Sequence, residues 1–150
     1  MVFGAFPPLK TILKEQLISN GDNRLVYFNV NIPIVKNNVD IILLNQSYVN
    51  DIKELIKIPE NFIALGELKG GIDPAGADEH WKTGKMALER IDMGFKKNRC
   101  MPRLFFIGAA IEKKMAGEIY DYLKSDFLSN AANLTKPDQI TALADWLIHL

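Results

Sequence analysis

Between Val26 and Lys69 the chain carries three strand signatures in succession, followed by one long amphipathic stretch. That order restricts the fold more than any other feature. Val26, Phe28, Val30, Ile32 and Ile34 alternate with Tyr27, Asn29, Asn31 and Pro33, the period of two of a half-buried strand. Pro33 belongs at an edge or at the strand's end, because it has no N–H for a ladder. Lys36-Asn37-Asn38 reads as a turn. Val39 to Leu44 is almost entirely apolar, as expected of a central strand, and Phe62 to Lys69 reads as a third.

The helical signals surround this block. Leu9, Ile12, Leu13 and Leu17 recur at helical spacing after Pro7 and Pro8, and Gly21 is a plausible stop, so the chain is expected to open with a helix. A short helix is expected around Val49 to Lys57, ended by Pro59. Gly70 to Gly76 reads as a loop. From about Asp78 a longer helix places Trp81, Gly84, Leu88, Ile91 and Phe95 on one face. Leu104 to Ile107 is a fourth strand. Met115, Ile119, Tyr122 and Leu123 mark another helix, and a last one begins near Pro137. Adjacent strands without a crossover pair antiparallel, and a helical crossover adds a parallel strand. The expected fold is therefore α/β: a mixed sheet with an αβββαβ order, flanked by helices, in a single domain over residues 1–150.

Composition limits the possible functions. Eighteen basic and eighteen acidic residues cancel, so a nucleic-acid partner would have to be met by a local basic face. The single cysteine, Cys100, excludes an internal disulfide, fits a reducing, cytoplasmic setting, and reads as a bystander thiol. The longest apolar run, Leu104 to Ile111, is too short to cross a membrane, and Met1 to Lys10 lacks the pattern of a secretion signal.

The chemistry lies in two of the strands. Glu67 and Lys69 are two residues apart on a strand and so share a face. Asp40 interrupts the apolar run Val39-Asp40-Ile41-Ile42, where a charge is costly unless it is used or paired. If these strands are neighbours, three charged groups converge at one end of the sheet. Asp40 and Glu67, with the backbone carbonyl of Leu68, could hold Mg2+ while leaving positions for water and phosphate. Lys69 could orient the attacking water or stabilise charge. A glutamate and lysine at this spacing equally suit a plain structural ion pair. His80 stands near the start of the Asp78 helix, where the positive end of the helix dipole favours a neutral imidazole, and a lone histidine is more often structural. Lys82 and Lys85 could reach phosphates or form the solvated helix face, and Lys96, Lys97, Arg99 and Arg103 form a basic cluster open to the same two readings. Trp81 reads as core.

The run Leu65-Gly66-Glu67-Leu68-Lys69-Gly70-Gly71-Ile72-Asp73-Pro74-Ala75-Gly76-Ala77-Asp78-Glu79-His80-Trp81-Lys82-Thr83 resembles the active-site block of the AvaI/BsoBI restriction endonucleases. Leu104 to Glu112 and Leu128 to Leu134 resemble that family too, and the likeness runs roughly from Val30 to the C-terminus. It implies a type II restriction endonuclease of the PD-(D/E)xK superfamily. Such an enzyme hydrolyses double-stranded DNA with Mg2+ at a short, palindromic, degenerate GC-rich site, as a homodimer enclosing the duplex. It also implies roles: Asp40, Glu67 and Lys69 as catalytic acids and lysine, His80 as a general base, and Asp73 as a reader of bases. An aspartate can accept a hydrogen bond from cytosine N4. Family members are much longer, with a further N-terminal region, so the chain is expected to correspond to their catalytic C-terminal half. An inactive remnant that keeps the fold without specific binding or cleavage is the alternative.

Overall fold

The computed structural model describes residues 15–19, 23–46, 51–71, 74–109 and 111–150. Strands β1 (Glu15–Ser19), β2 (Asn23–Ile32), β3 (Asn37–Leu44) and β4 (Phe62–Lys69) pair in sequence order, each antiparallel to the last. Helix α1 (Pro74–Lys97) carries the chain back so that β5 (Arg103–Gly108) adds parallel to β4. Helix α2 (Lys113–Lys124) makes the second crossover, to β6 (Asn130–Asn133), which is parallel to β5. Helix α3 (Pro137–Ile148) follows, and the six strands lie in the order of the chain.

Both crossovers step across the sheet in one direction, and a fixed right hand puts their helices on the same face. Trp81, Leu88, Ile91 and Phe95 of α1 and Met115 and Ile119 of α2 accordingly share one core with Leu25, Tyr27, Ile42, Leu44, Leu65 and Phe106. The opposite face carries Val26, Ile41, Leu43, Ala64, Phe105 and Ile107, and Leu143 of α3 covers it. A sheet buried on both faces explains why β3 and β4 read as nearly continuous apolar runs. The result is the expected α/β class, a mixed sheet between helical layers. Among the described residues no helix is long and apolar enough to cross a membrane.

Four local expectations are corrected. The helix expected to open the chain is a strand over Glu15–Ser19, while Leu9, Ile12 and Leu13 lie outside the described residues. Pairing along β2, from Glu15 opposite Tyr27 to Ser19 opposite Asn23, outweighs a weak helical spacing. Around Val49 to Lys57 the described part forms only 3-10 turns, Leu55–Lys57 and then Pro59–Asn61. Asn61 Nδ2 ties them together by donating to the Leu55 carbonyl at 2.9 Å. In β2 the alternation does not persist: Val26 and Phe28 pack on the α3 face, Val30 and Ile32 on the α1 face. The switch falls at Asn29, whose φ of 54° turns the strand over. Lastly, α1 begins at Pro74 rather than near Asp78, with proline suited to the first helical turn.

Candidate active site

Asp40 reaches the site through an interruption in the sheet. The β2–β3 pairs Phe28–Ile41 and Val30–Val39 bracket Asn29 and Asp40, and the β3–β4 ladder ends at Ile41 opposite Gly66. Beyond that pair the Asp40 carboxylate takes over the ladder's role, and Leu68 N–H donates to Asp40 Oδ2 at 2.8 Å. A strand residue's N–H and C=O point to the same side. The Leu68 carbonyl therefore also faces the opened β3 edge, away from β5, whereas the Lys69 carbonyl accepts from Ala109 N–H at 2.9 Å.

Glu67 and Lys69 project from β4 on the α1 side. Lys69 Nζ lies 2.9 Å from Glu67 Oε2 and 3.3 Å from Asp40 Oδ2, so one ammonium joins both acids. Glu67 is only 3% exposed, and its Oε1 is buried without a hydrogen-bond partner among the described residues. Burial pushes the Glu67 carboxyl above its ordinary 4.5; the Lys69 hydrogen bond opposes this and the Asp40 charge adds to it. For Lys69, burial disfavours the ammonium, but the hydrogen bond and charge of Glu67, with Asp40 behind them, outweigh it and raise its pKa. A buried carboxylate with an unmatched oxygen is costly. Arrangements of this kind cluster where a charge has work to do.

Two glycines shape the surroundings. A Cβ on Gly71 would lie 2.7 Å from Cδ2 of His80 and nearer still to Nε2, so the Nε2 end of the imidazole sits close against the backbone two residues beyond Lys69. A Cβ on Gly84 would meet Phe106 at 2.8 Å and Lys69 Cε at 3.6 Å. The bare backbone thus lets α1 close on the sheet and leaves room for the lysine stem. His80 is half-buried and, because the helix starts at Pro74, lies almost two turns in. The first-turn dipole argument for a neutral imidazole therefore lapses, since that field fades within one turn.

The other candidates are dispersed. Asp73 lies outside the described residues. Lys82 is exposed and pairs with Asp78 at 2.6 Å. Lys85 sits in the α1–α2 seam, 3.8 Å from Glu118 and over the Tyr122 ring at 5.2 Å. Of the basic cluster, Lys96 pairs with Asp92 and Arg103 stands opposite Ala64, at the far end of β4 from Glu67. The Cys100 thiol is pushed up by partial burial and the nearby Glu60 carboxylate, which disfavours a thiolate. One link had no sequence signal beyond an apolar stripe: Trp81, 1% exposed and edge-on to Phe106, donates its indole N–H to Glu118 Oε2 at 2.8 Å. Gly84 did carry one, since a glycine within a helical pattern points to a packing reason.

The donor set suits a hard cation. Among the described residues no group of three or more His, Cys, Asp or Glu side chains is placed to hold a metal. Mg2+, however, is commonly held by one or two carboxylates, with water and phosphate completing its octahedron. Asp40, Glu67 and the outward-facing Leu68 carbonyl are oxygen donors of that kind, and the unpartnered Glu67 Oε1 is an acceptor still without a donor or cation.

A mixed sheet with two parallel crossovers, helices on both faces, and acids and a lysine meeting where β3 and β4 part defines an α/β protein of restriction-endonuclease-like architecture. Residues 11–150 match the family described as "Restriction endonuclease BsobI", and the chain belongs to that family. It is 54% identical over 130 residues to the type II restriction enzymes AvaI of Nostoc sp. and of Anabaena variabilis. It is 49% identical over 132 residues to the type II restriction enzyme BsoBI of Geobacillus stearothermophilus. Each match takes in 87% of this chain and 41% of the relative, so the chain spans well under half the length of these proteins.

Proposed function

We propose that this chain carries the phosphodiester-hydrolysing site of a type II restriction endonuclease, a Mg2+-dependent nuclease of the PD-(D/E)xK kind acting on double-stranded DNA. One observation carries the reading: Asp40, Glu67 and Lys69 meet at the point where the β3–β4 ladder opens, with a buried carboxylate oxygen left without a partner. A structural ion pair would not need the strands to part or leave that oxygen unmatched. Identity of about half to enzymes with that activity supports the same class.

In this reading Asp40, Glu67 and the Leu68 carbonyl hold the metal. When bound, Mg2+ lowers the pKa of a coordinated water and neutralises charge on the phosphate. Asp40 keeps the strand ends apart by occupying the Leu68 N–H. Lys69 holds the attacking water or the phosphate oxygen through its ammonium. His80, set against Gly71 beside the same strand end, accepts a proton from the attacking water. Asp73 reads a base edge, and Lys82 and Lys85 contact phosphates. The target is a short palindromic, degenerate GC-rich site, and a palindrome matches a two-fold homodimer.

Incubation of plasmid and of duplexes carrying GC-rich palindromes with Mg2+, followed by sequencing of any ends, tests the reading. Discrete ends that disappear in Glu67→Gln and Asp40→Asn support it. Ends that persist in both variants place the chemistry elsewhere.

A further inference from the structure

The Lys69 ammonium contacts one carboxylate oxygen of each acid, Glu67 Oε2 and Asp40 Oδ2, and so already occupies the space between the two residues that would hold a metal. We propose that Lys69 is the resident counter-cation of the site, so that a divalent metal binds by exchange, expelling the ammonium from between the carboxylates. The inference rests on the metal reading of Asp40 and Glu67 given above, and it adds a competitor drawn from the chain itself.

Three features support exchange over simple addition. Glu67 is buried and Lys69 is about half-buried, so the ammonium is screened by little water and strongly repels a second cation on the same oxygens. The lysine has a way out: its side chain keeps 18% exposure, so the ammonium can swing toward solvent without crossing the core. Asp40 would not follow the lysine out, because Leu68 N–H holds its Oδ2 in place at 2.8 Å. The carboxylates therefore stay put while their cation changes.

The exchange has a functional consequence. An expelled ammonium needs a new anion, and a DNA phosphate at the same strand end supplies one. Metal binding is then weak in the free chain and stronger with a duplex present. By linkage, the duplex binds more tightly by the same factor when metal is present. The arrangement keeps a hydrolytic metal off the protein until a phosphate is there to receive Lys69.

The test is calorimetric titration of Ca2+ and Mn2+ into the DNA-free protein, comparing the natural chain with Lys69→Met and Lys69→Gln. Methionine keeps the apolar stem over Gly84, and glutamine keeps hydrogen bonding to the acids without the charge. Both variants are expected to bind metal about tenfold more tightly or better, the order expected from removing one partly buried like charge. Lys69→Arg, which retains the charge, should remain as weak as the natural chain. Tightening in both neutral variants but not in the arginine variant supports exchange. Unchanged or weaker binding in folded Lys69→Met and Lys69→Gln, with the natural chain still binding metal through Asp40 and Glu67, overturns the exchange alone. The metal would then use other carboxylate oxygens beside a seated lysine. If Asp40→Asn and Glu67→Gln leave metal binding untouched, or no form of the chain binds metal, the metal reading itself fails and takes the exchange with it.

Discussion

Replacing Glu67 with glutamine should make the protein more stable and inactive together. In Glu67→Gln the amide oxygen can still accept from Lys69, and the amide nitrogen takes the place of Oε1, which has no partner among the described residues. Hydrogen bonding is thus nearly conserved, and the main loss is a buried negative charge. Burial raises the folded-state pKa of Glu67 above 4.5, so ionising it costs free energy only in the folded chain. The sign follows: this contribution favours the natural protein fully below 4.5 and is lost as pH rises through the raised folded value. Each pKa unit of displacement is worth about 1.4 kcal/mol. The glutamine NH2 is as unmatched at that position as Oε1, so the gain for the variant at pH 8 comes from the removed charge alone and is on the order of 1 kcal/mol. For a chain of 150 residues each kcal/mol moves Tm by about 2–4 °C. Thermal unfolding followed by circular dichroism in EDTA, from pH 4 to pH 9, reads the difference directly. The two proteins should melt together at the acid end and separate as pH rises, with the variant above. A variant that melts lower at pH 8, or a gap equal at both ends of the range, refutes the argument that this carboxylate is held at a cost for function.

Gly84→Ala should lower stability by roughly 1–3 kcal/mol despite alanine's better helix propensity, because the added methyl meets the fully buried Phe106 ring; denaturant unfolding measures it. Glu118→Ala leaves the buried Trp81 indole N–H without its acceptor and should cost about 1–3 kcal/mol, with Glu118→Gln restoring most of it in the same assay. His80→Ala should slow single-turnover DNA cleavage by roughly a hundredfold or more while moving Tm little; a large fall in Tm with normal cleavage would mark a packing histidine. Ca2+ in place of Mg2+ should permit duplex binding in a gel-shift assay without cleavage, since it takes the same oxygens in a looser geometry and activates water poorly.

Local pattern determined much of this protein. The apolar runs of β3 and β4, the amphipathic stripe from Trp81 to Phe95 and the strand from Leu104 are legible because burial on two faces or one imposes a period on neighbouring residues. Glu67 and Lys69 could be placed on one face for the same reason, and Asp40 stood out as a charge inside an apolar run. Tertiary structure decided what period cannot encode. Glu15–Ser19 is a strand because β2 offers an edge to pair with, and β6, Asn-Ala-Ala-Asn, has hardly any apolar signal and exists because β5 offers the other edge. The reversal of β2 at Asn29 depends on a single backbone angle. The opening between β3 and β4, the Asp40–Leu68 hydrogen bond and the Lys69–Asp40 contact join residues 25 or more positions apart, and the unmatched Glu67 oxygen arises from burial. Sequence fixes which groups are available to the site; only the packing of strands against α1 determines how far apart they sit and how much water reaches them, and those two quantities set the electrostatics.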